Sequence, residues 1–154
     1  IADKIKALLQ EKGCNSGLVN VSGDIKTCGK QPNSNTWTVG IVNPMNKNKV
    51  FATFPLGNSS VATSGSYETF VVFDGKRYSH IIDPRTGYPA QGVVSVSVFA
   101  KQTEIADALA TGIFVLGVDV GLNLVNQLKG IGCIIVDDKG EIHTSKNIDI
   151  KKFN

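Results

Sequence analysis

The residues of this chain best suited to chemistry fall into two groups. One is His80 and Asp83, within Tyr78-Ser79-His80-Ile81-Ile82-Asp83-Pro84-Arg85-Thr86-Gly87-Tyr88-Pro89; the other is Asp107 and Thr111, four positions apart. An imidazole accepts a proton at physiological pH, and a neighbouring carboxylate can orient the ring or assist as base. A carboxylate and a hydroxyl at i and i+4 of a helix share a face, so their oxygens can converge on one point. Such a pair suits Mg²⁺, a hard cation that takes a few oxygen ligands and completes its octahedron with water and substrate phosphate. Each group also has a plain structural reading. His80 reads equally as a hydrogen-bonded core histidine and Asp83 as a turn cap, while Thr111 can bond back to a helix carbonyl and Asp107 can pair with a basic side chain.

Other chemistries find less support. The sequence has many serines but no Gly-x-Ser-x-Gly elbow, no Walker-type phosphate loop, and no Gly-x-Gly-x-x-Gly between a strand and a helix. Cys14, Cys28 and Cys133 are odd in number and lack CxxC spacing, so they imply neither a zinc site nor a complete disulfide framework and read as packing residues.

The elements that must position the two groups follow from local pattern. Val71 to Phe73 and Tyr78 to Ile82 read as strands joined across Asp74-Gly75, whose residues tolerate the positive φ of a tight hairpin. His80 then leaves a strand just before a turn that Pro84 stiffens and Gly87 allows to reverse. A helix is expected from about Glu104 to Leu116, capped by Thr103 and stopped by Gly117. It is apolar almost all round, which predicts burial on most sides. Residues 2 to 12 form an amphipathic helix with Ile5, Leu8 and Leu9 on a face that needs a cover. Leu18 to Val21 and Ile25 to Cys28 pair across Ser22-Gly23-Asp24, with Trp37 to Val42, Val50 to Phe54 and Ser60 to Thr63 as further strands. Val93 to Phe99 alternates apolar residues with Ser95 and Ser97, the period of a strand with one buried face. A helical segment from Gly121 to Leu128 precedes a terminal hairpin, Ile131 to Val136 with Glu141 to Thr144, and a polar tail at Lys151-Lys152. The expected class is α+β, a mostly antiparallel sheet with packed helices.

The 154 residues suffice for one domain with a substantial core, and 42% hydrophobic with 19% charged residues is an ordinary globular balance. A net charge of +3, scattered along the chain, gives no footprint for nucleic acid but is compatible with an anionic small ligand. No apolar run reaches the length of a membrane span, and the first residues resemble an amphipathic helix rather than a signal sequence.

Ser64-Gly65-Ser66-Tyr67-Glu68, the segment from Tyr78 to Gly87, and Ala106-Asp107-Ala108-Leu109-Ala110-Thr111, in that order and spacing, closely resemble the ApbE family of FAD:protein FMN transferases. The opening helix, Leu18 to Asp24 and the Trp37 strand also match, although Ser22-Gly23-Asp24 stands where the family usually has Gly-Gly-Asp. The resemblance implies a T-fold type domain. It also implies cleavage of FAD at its pyrophosphate, joining of FMN to a threonine hydroxyl of a partner protein, and release of AMP. In that reading Mg²⁺ is held by Asp107 and Thr111, His80 is the base, and Asp83 orients it or assists. The dinucleotide lies against Gly23, Asp24, Ser64, Gly65, Tyr67, Thr86 and Gly87. Alternatives are an FAD pyrophosphatase yielding FMN and AMP, or a flavin-binding module without turnover. The family further implies an acceptor of the redox-pump subunit type and a lipid-anchored place in the cell envelope, periplasmic or on the outer face of the cytoplasmic membrane. Its members are about twice as long, so the chain is expected to be a C-terminal half whose missing N-terminal half supplies flavin contacts and a backbone metal ligand.

Overall fold

The computed structural model describes residues 1–67 and 69–148, with the side chains of Lys47, Lys76 and Arg77 outside that description. Glu68 of the Ser-Gly-Ser-Tyr-Glu motif and the Lys151-Lys152 tail therefore lie outside the described residues. Helix α1 (Ala2–Glu11) opens the chain, followed by β1 (Gly17–Val21), β2 (Asp24–Cys28), β3 (Thr38–Asn43), β4 (Asn46–Pro55), β5 (Ser60–Gly65), β6 (Phe70–Phe73) and β7 (Lys76–Ser79). The short strands β8 (Ile82–Asp83) and β9 (Tyr88–Pro89) lead to β10 (Val93–Ala100), helices α2 (Thr103–Leu116) and α3 (Val118–Gln127), and strands β11 (Gly132–Asp137) and β12 (Ile142–Thr144).

A six-stranded sheet runs in the order β1-β2-β5-β10-β11-β12, and β3-β4, β6-β7 and β8-β9 form separate two-stranded ribbons. Every strand pairing among the described residues is antiparallel. The α+β class expected from the sequence is the one observed.

Local turn chemistry accounts for the hairpins. Ser22 and Gly23 have φ of 52° and 98°, the two positive values of the hairpin turn that suits the strand twist, and Asp74 and Gly75 repeat the pattern at 50° and 72°. The first turn is thus Ser22-Gly23 alone, and Asp24 opens β2 opposite Val21.

The sheet carries cover on both faces. Helices α2 and α3 pack Ala106, Ala110, Ile113, Phe114 and Val125 against Ala62, Val96, Val98 and Ile135. On the other face the β3-β4 ribbon sets Val39, Ile41, Ala52 and Phe54 against Val61 and Ile134. Strand β10 is therefore covered on both sides. Ser95 and Ser97, expected to face solvent from their alternation, are 3% and 1% exposed, on the strand face that also carries Phe99, which packs against the ribbon cluster. Ser97 Oγ is 2.8 Å from Thr63 Oγ1, a bond that satisfies the buried hydroxyl.

One further expectation changes for a tertiary reason. Thr103 is the first residue of α2 rather than its cap, and the group that receives its backbone N–H is the Asp3 carboxylate of α1, at 2.7 Å. Asp3 also pairs at 3.1 Å with buried Lys26, whose ammonium further donates to Ser60 Oγ and to the carbonyl of Lys101. Leu8 and Leu9 of α1 remain 59% and 42% exposed, so the apolar face of that helix is only partly covered within this chain.

This clamp makes Asp3 a measurable contributor to stability. Burial raises its carboxyl, but the bonds from Lys26 and from the Thr103 N–H outweigh it and hold the group below the usual carboxylate range. A depressed acid stabilises the fold above its unfolded value and loses that contribution as pH falls through the native one. Asp3→Ala is expected to cost about 1 to 3 kcal/mol in urea denaturation at neutral pH, because it leaves the Lys26 charge uncompensated. The difference from the parent should shrink below the ordinary carboxylate range.

Cys28 and Cys133 are buried and Cys14 is exposed, all three as free thiols. Burial pushes the Cys133 thiol up to about 11, so at neutral pH it is a packing group and not a nucleophile. No helix among the described residues is long and apolar enough to cross a membrane.

Candidate active site

Helix α2 organises the site. Its period buries Ala106, Ala110, Ile113 and Phe114 completely and turns Glu104, Asp107, Ala108 and Thr111 outward. The expectation of burial on most sides fails here, because the helix lies on the sheet with one face open and Ile105 is 40% exposed. That open face carries the metal-type pair. Asp107 and Thr111 sit one turn apart, as their spacing requires.

Neither plain alternative for this pair is observed. No basic side chain among the described residues forms an ion pair with Asp107. The Thr111 hydroxyl is bonded to Ser64 Oγ of β5 at 2.9 Å, not to its own helix. Asp24, half-buried at the start of β2, stands close enough to Asp107 to feel its charge. Its carboxyl is held above the usual range first by burial and then by Asp107, with the chain's N-terminal amine pulling the other way. The local donor set is thus made of oxygens: two carboxylates that repel each other and two hydroxyls. That chemistry fits a hard divalent cation, which would relieve the repulsion.

The second group is built on the turn after β7. His80 is exposed, and its Nδ1 lies 3.0 Å from the carbonyl oxygen of Thr69, which precedes β6. A carbonyl only accepts, so Nδ1 carries the hydrogen and the neutral ring keeps its lone pair on Nε2. Thr69, not Asp83, is therefore the group that orients the ring. Asp83 instead receives the Arg85 backbone N–H at 2.9 Å and the Arg85 guanidinium at 2.7 to 3.2 Å, and these bonds hold its carboxyl below the usual range. The fork also reaches α2, where Arg85 Nη2 donates to the carbonyl of Val115 at 3.0 Å. A single arginine thus fastens the turn to the last turn of the helix bearing Asp107 and Thr111.

The remaining sequence candidates divide by what occupies them. The Thr86 hydroxyl is 3.4 Å from the Asp83 carbonyl and receives the Tyr88 N–H at 3.2 Å, so it belongs to the turn. Gly87 has φ of 74° with open space beside it. Thr86 lines a cavity of about 480 Å³ between this turn and the end of α2. A Cβ on Gly65 would stand 2.7 Å from Tyr67 Cδ1, so the missing side chain makes room for that ring. Tyr67 in turn lines two cavities, of about 330 Å³ and 270 Å³, the second shared with Gly23.

Sequence reasoning left Arg85 without a role, and its position two residues after Asp83 was the available signal. It also passed over the second histidine. Asp137, Glu141 and His143 bring their ligand atoms within 4.8 Å of one another on the terminal hairpin. There Asp137 is 2.9 Å from His143 Nε2 and receives the backbone N–H groups of Lys139 and Glu141, a set of bonds that closes the turn.

The sequence profile of the ApbE family matches residues 1–135. The chain belongs to the ApbE family. It is 37% identical over 158 aligned residues to the FAD:protein FMN transferase of Treponema pallidum, covering 96% of this chain and 44% of that protein. It is 35% identical over 142 residues to the FAD:protein FMN transferase of Escherichia coli strain K12, covering 91% and 40%. Among solved structures, the ApbE protein of Thermotoga maritima superposes with a TM-score of 0.86 at 37% identity, covering 94% of this chain and 48% of that one. The flavin transferase ApbE from Vibrio cholerae gives 0.83 at 33% identity, covering 99% and 49%. The chain therefore spans less than half the length of these ApbE relatives.

Proposed function

We propose that the protein transfers FMN from FAD to a threonine hydroxyl of an acceptor protein, with release of AMP. The observation that carries this reading is the open face of α2, where Asp107 and Thr111 stand beside Asp24 and Ser64 with no basic ion-pair partner among the described residues of an ApbE-family chain. Asp107 and Thr111 would hold Mg²⁺, which when bound supplies neutralisation of the pyrophosphate charge. His80 Nε2 takes the proton of the attacking hydroxyl. The threonine oxygen bonds to the phosphorus on the FMN side, the bond from that phosphorus to the bridging oxygen breaks, and AMP leaves with the electron pair. Arg85 and Asp83 hold the His80 turn against α2, so the base and the metal-type pair belong to one rigid frame.

The domain is proposed to work as the C-terminal part of a longer chain, because the relatives are more than twice its matched length. The additional length would cover the exposed faces of α1 and α2 and wall the dinucleotide. The same reading assigns the acceptor to the redox-pump subunit type and the protein to the cell envelope through a lipid anchor.

Mass spectrometry separates transfer from its rivals. The full-length protein, incubated with FAD, Mg²⁺ and an acceptor domain bearing the threonine, is expected to add one FMN to that residue. AMP release without an acceptor, at the rate seen with one, would make it a pyrophosphatase. FAD binding with neither product would make it a binding module.

A further inference from the structure

A threonine inside a helix has a ready partner one turn back, the carbonyl at i−4, which for Thr111 belongs to Asp107. Thr111 takes a different one, Ser64 Oγ at 2.9 Å. Ser64 reaches it because side chains along β5 alternate, which puts Ser64 on the face of Ala62, buried in the core beneath α2. Neither the backbone bonding of α2 nor the pairing of β5 with β10 needs this bond. What it determines is the direction of the Thr111 hydroxyl.

We propose that Ser64 is a positioning residue that draws the Thr111 hydroxyl away from its own helix and accepts its proton, leaving the Thr111 lone pairs aimed at the point shared with Asp107. A hydroxyl oxygen that ligates a cation becomes a stronger donor, and a fixed acceptor behind it holds its orientation and raises its basicity. This inference rests on the function proposed above. It moves Ser64 from contact with the dinucleotide to support of a metal ligand.

The test uses Mn²⁺ as a paramagnetic stand-in for Mg²⁺, titrated by electron paramagnetic resonance into the full-length protein with FAD present. FAD affinity is measured separately in EDTA by flavin fluorescence. Ser64→Ala is expected to weaken Mn²⁺ binding about tenfold, the lower end of the range for partners of metal ligands, and to leave metal-free FAD affinity unchanged. Ser64→Cys, close in volume but a weak acceptor, should behave like the alanine variant, and Ser64→Thr should restore parental Mn²⁺ affinity. Parental Mn²⁺ affinity in both the Ala and Cys variants overturns the inference. So does a loss confined to metal-free FAD affinity, which would return Ser64 to the dinucleotide. Asp107→Asn keeps the two proposals apart. If it too leaves Mn²⁺ binding intact, the metal site itself falls, whereas weakening by Asp107→Asn but not by the Ser64 variants defeats only the role of Ser64.

Discussion

Replacing His80 by alanine is expected to slow FMN transfer by about 10²- to 10⁴-fold, the range for removal of a positioned acid or base, with FAD affinity nearly unchanged. A base acts on the barrier, where the hydroxyl proton moves, and contributes little to holding the substrate before reaction. The fold should tolerate the change. His80 is exposed, and among the described residues its ring bonds to the Thr69 carbonyl, at the margin of the β6-β7 ribbon. A variant that kept parental turnover, or lost it together with its thermal melting transition, would make His80 a structural residue.

The second large effect concerns Asp107. Asp107→Asn keeps the shape and removes the charge, and loss of a direct ligand should exceed the about 10- to 100-fold cost of losing a partner of one. Mg²⁺ affinity, read from the metal dependence of transfer and from calorimetry, is therefore expected to drop at least about 100-fold on that comparison. Thr111→Val should weaken it less, and the double variant should fall short of the sum of the two effects if both groups touch one ion. Equal Mg²⁺ dependence in Asp107→Asn and parent would show that Asp107 only solvates the helix face.

Stability should move the opposite way. Asp24 is held above the usual carboxylate range by burial and by the charge of Asp107. A raised native value means the ionised group costs stability once pH exceeds the ordinary value. Removing the Asp107 charge relieves part of that cost, so the metal-free asparagine variant should melt above the metal-free parent at neutral pH. Below the ordinary carboxylate range, where Asp24 is protonated in both states, the advantage should vanish. Unchanged melting would mean that the two carboxylates do not sense each other.

What the sequence by itself determined is what short-range chemistry decides. The Ser22-Gly23 and Asp74-Gly75 turns follow from residues that accept positive φ, so the β1-β2 and β6-β7 hairpins were legible from a few positions each. An apolar run ended by Gly117 marked a helix from about Glu104 to Leu116, and the spacing of Asp107 and Thr111 placed both on one face of it. The ordered motifs carried the family. Tertiary structure decided which partner each polar group takes and which faces are covered, because both depend on atoms far apart in the chain. Asp3 receives the first N–H of α2 from 100 residues away, where the sequence suggested that Thr103 caps its own helix. Ser95 and Ser97 are buried on the same strand face as Phe99, which packs against the β3-β4 ribbon cluster, and no strand period can reveal that this second face is covered. Asp83 is within reach of either His80 or Arg85 in sequence, and the fork of the guanidinium wins because it also finds the Val115 carbonyl at the end of α2. Thr111 had a bond available within its own helix at no cost in long-range order, and only the packing of α2 on β5 offered Ser64 in its place.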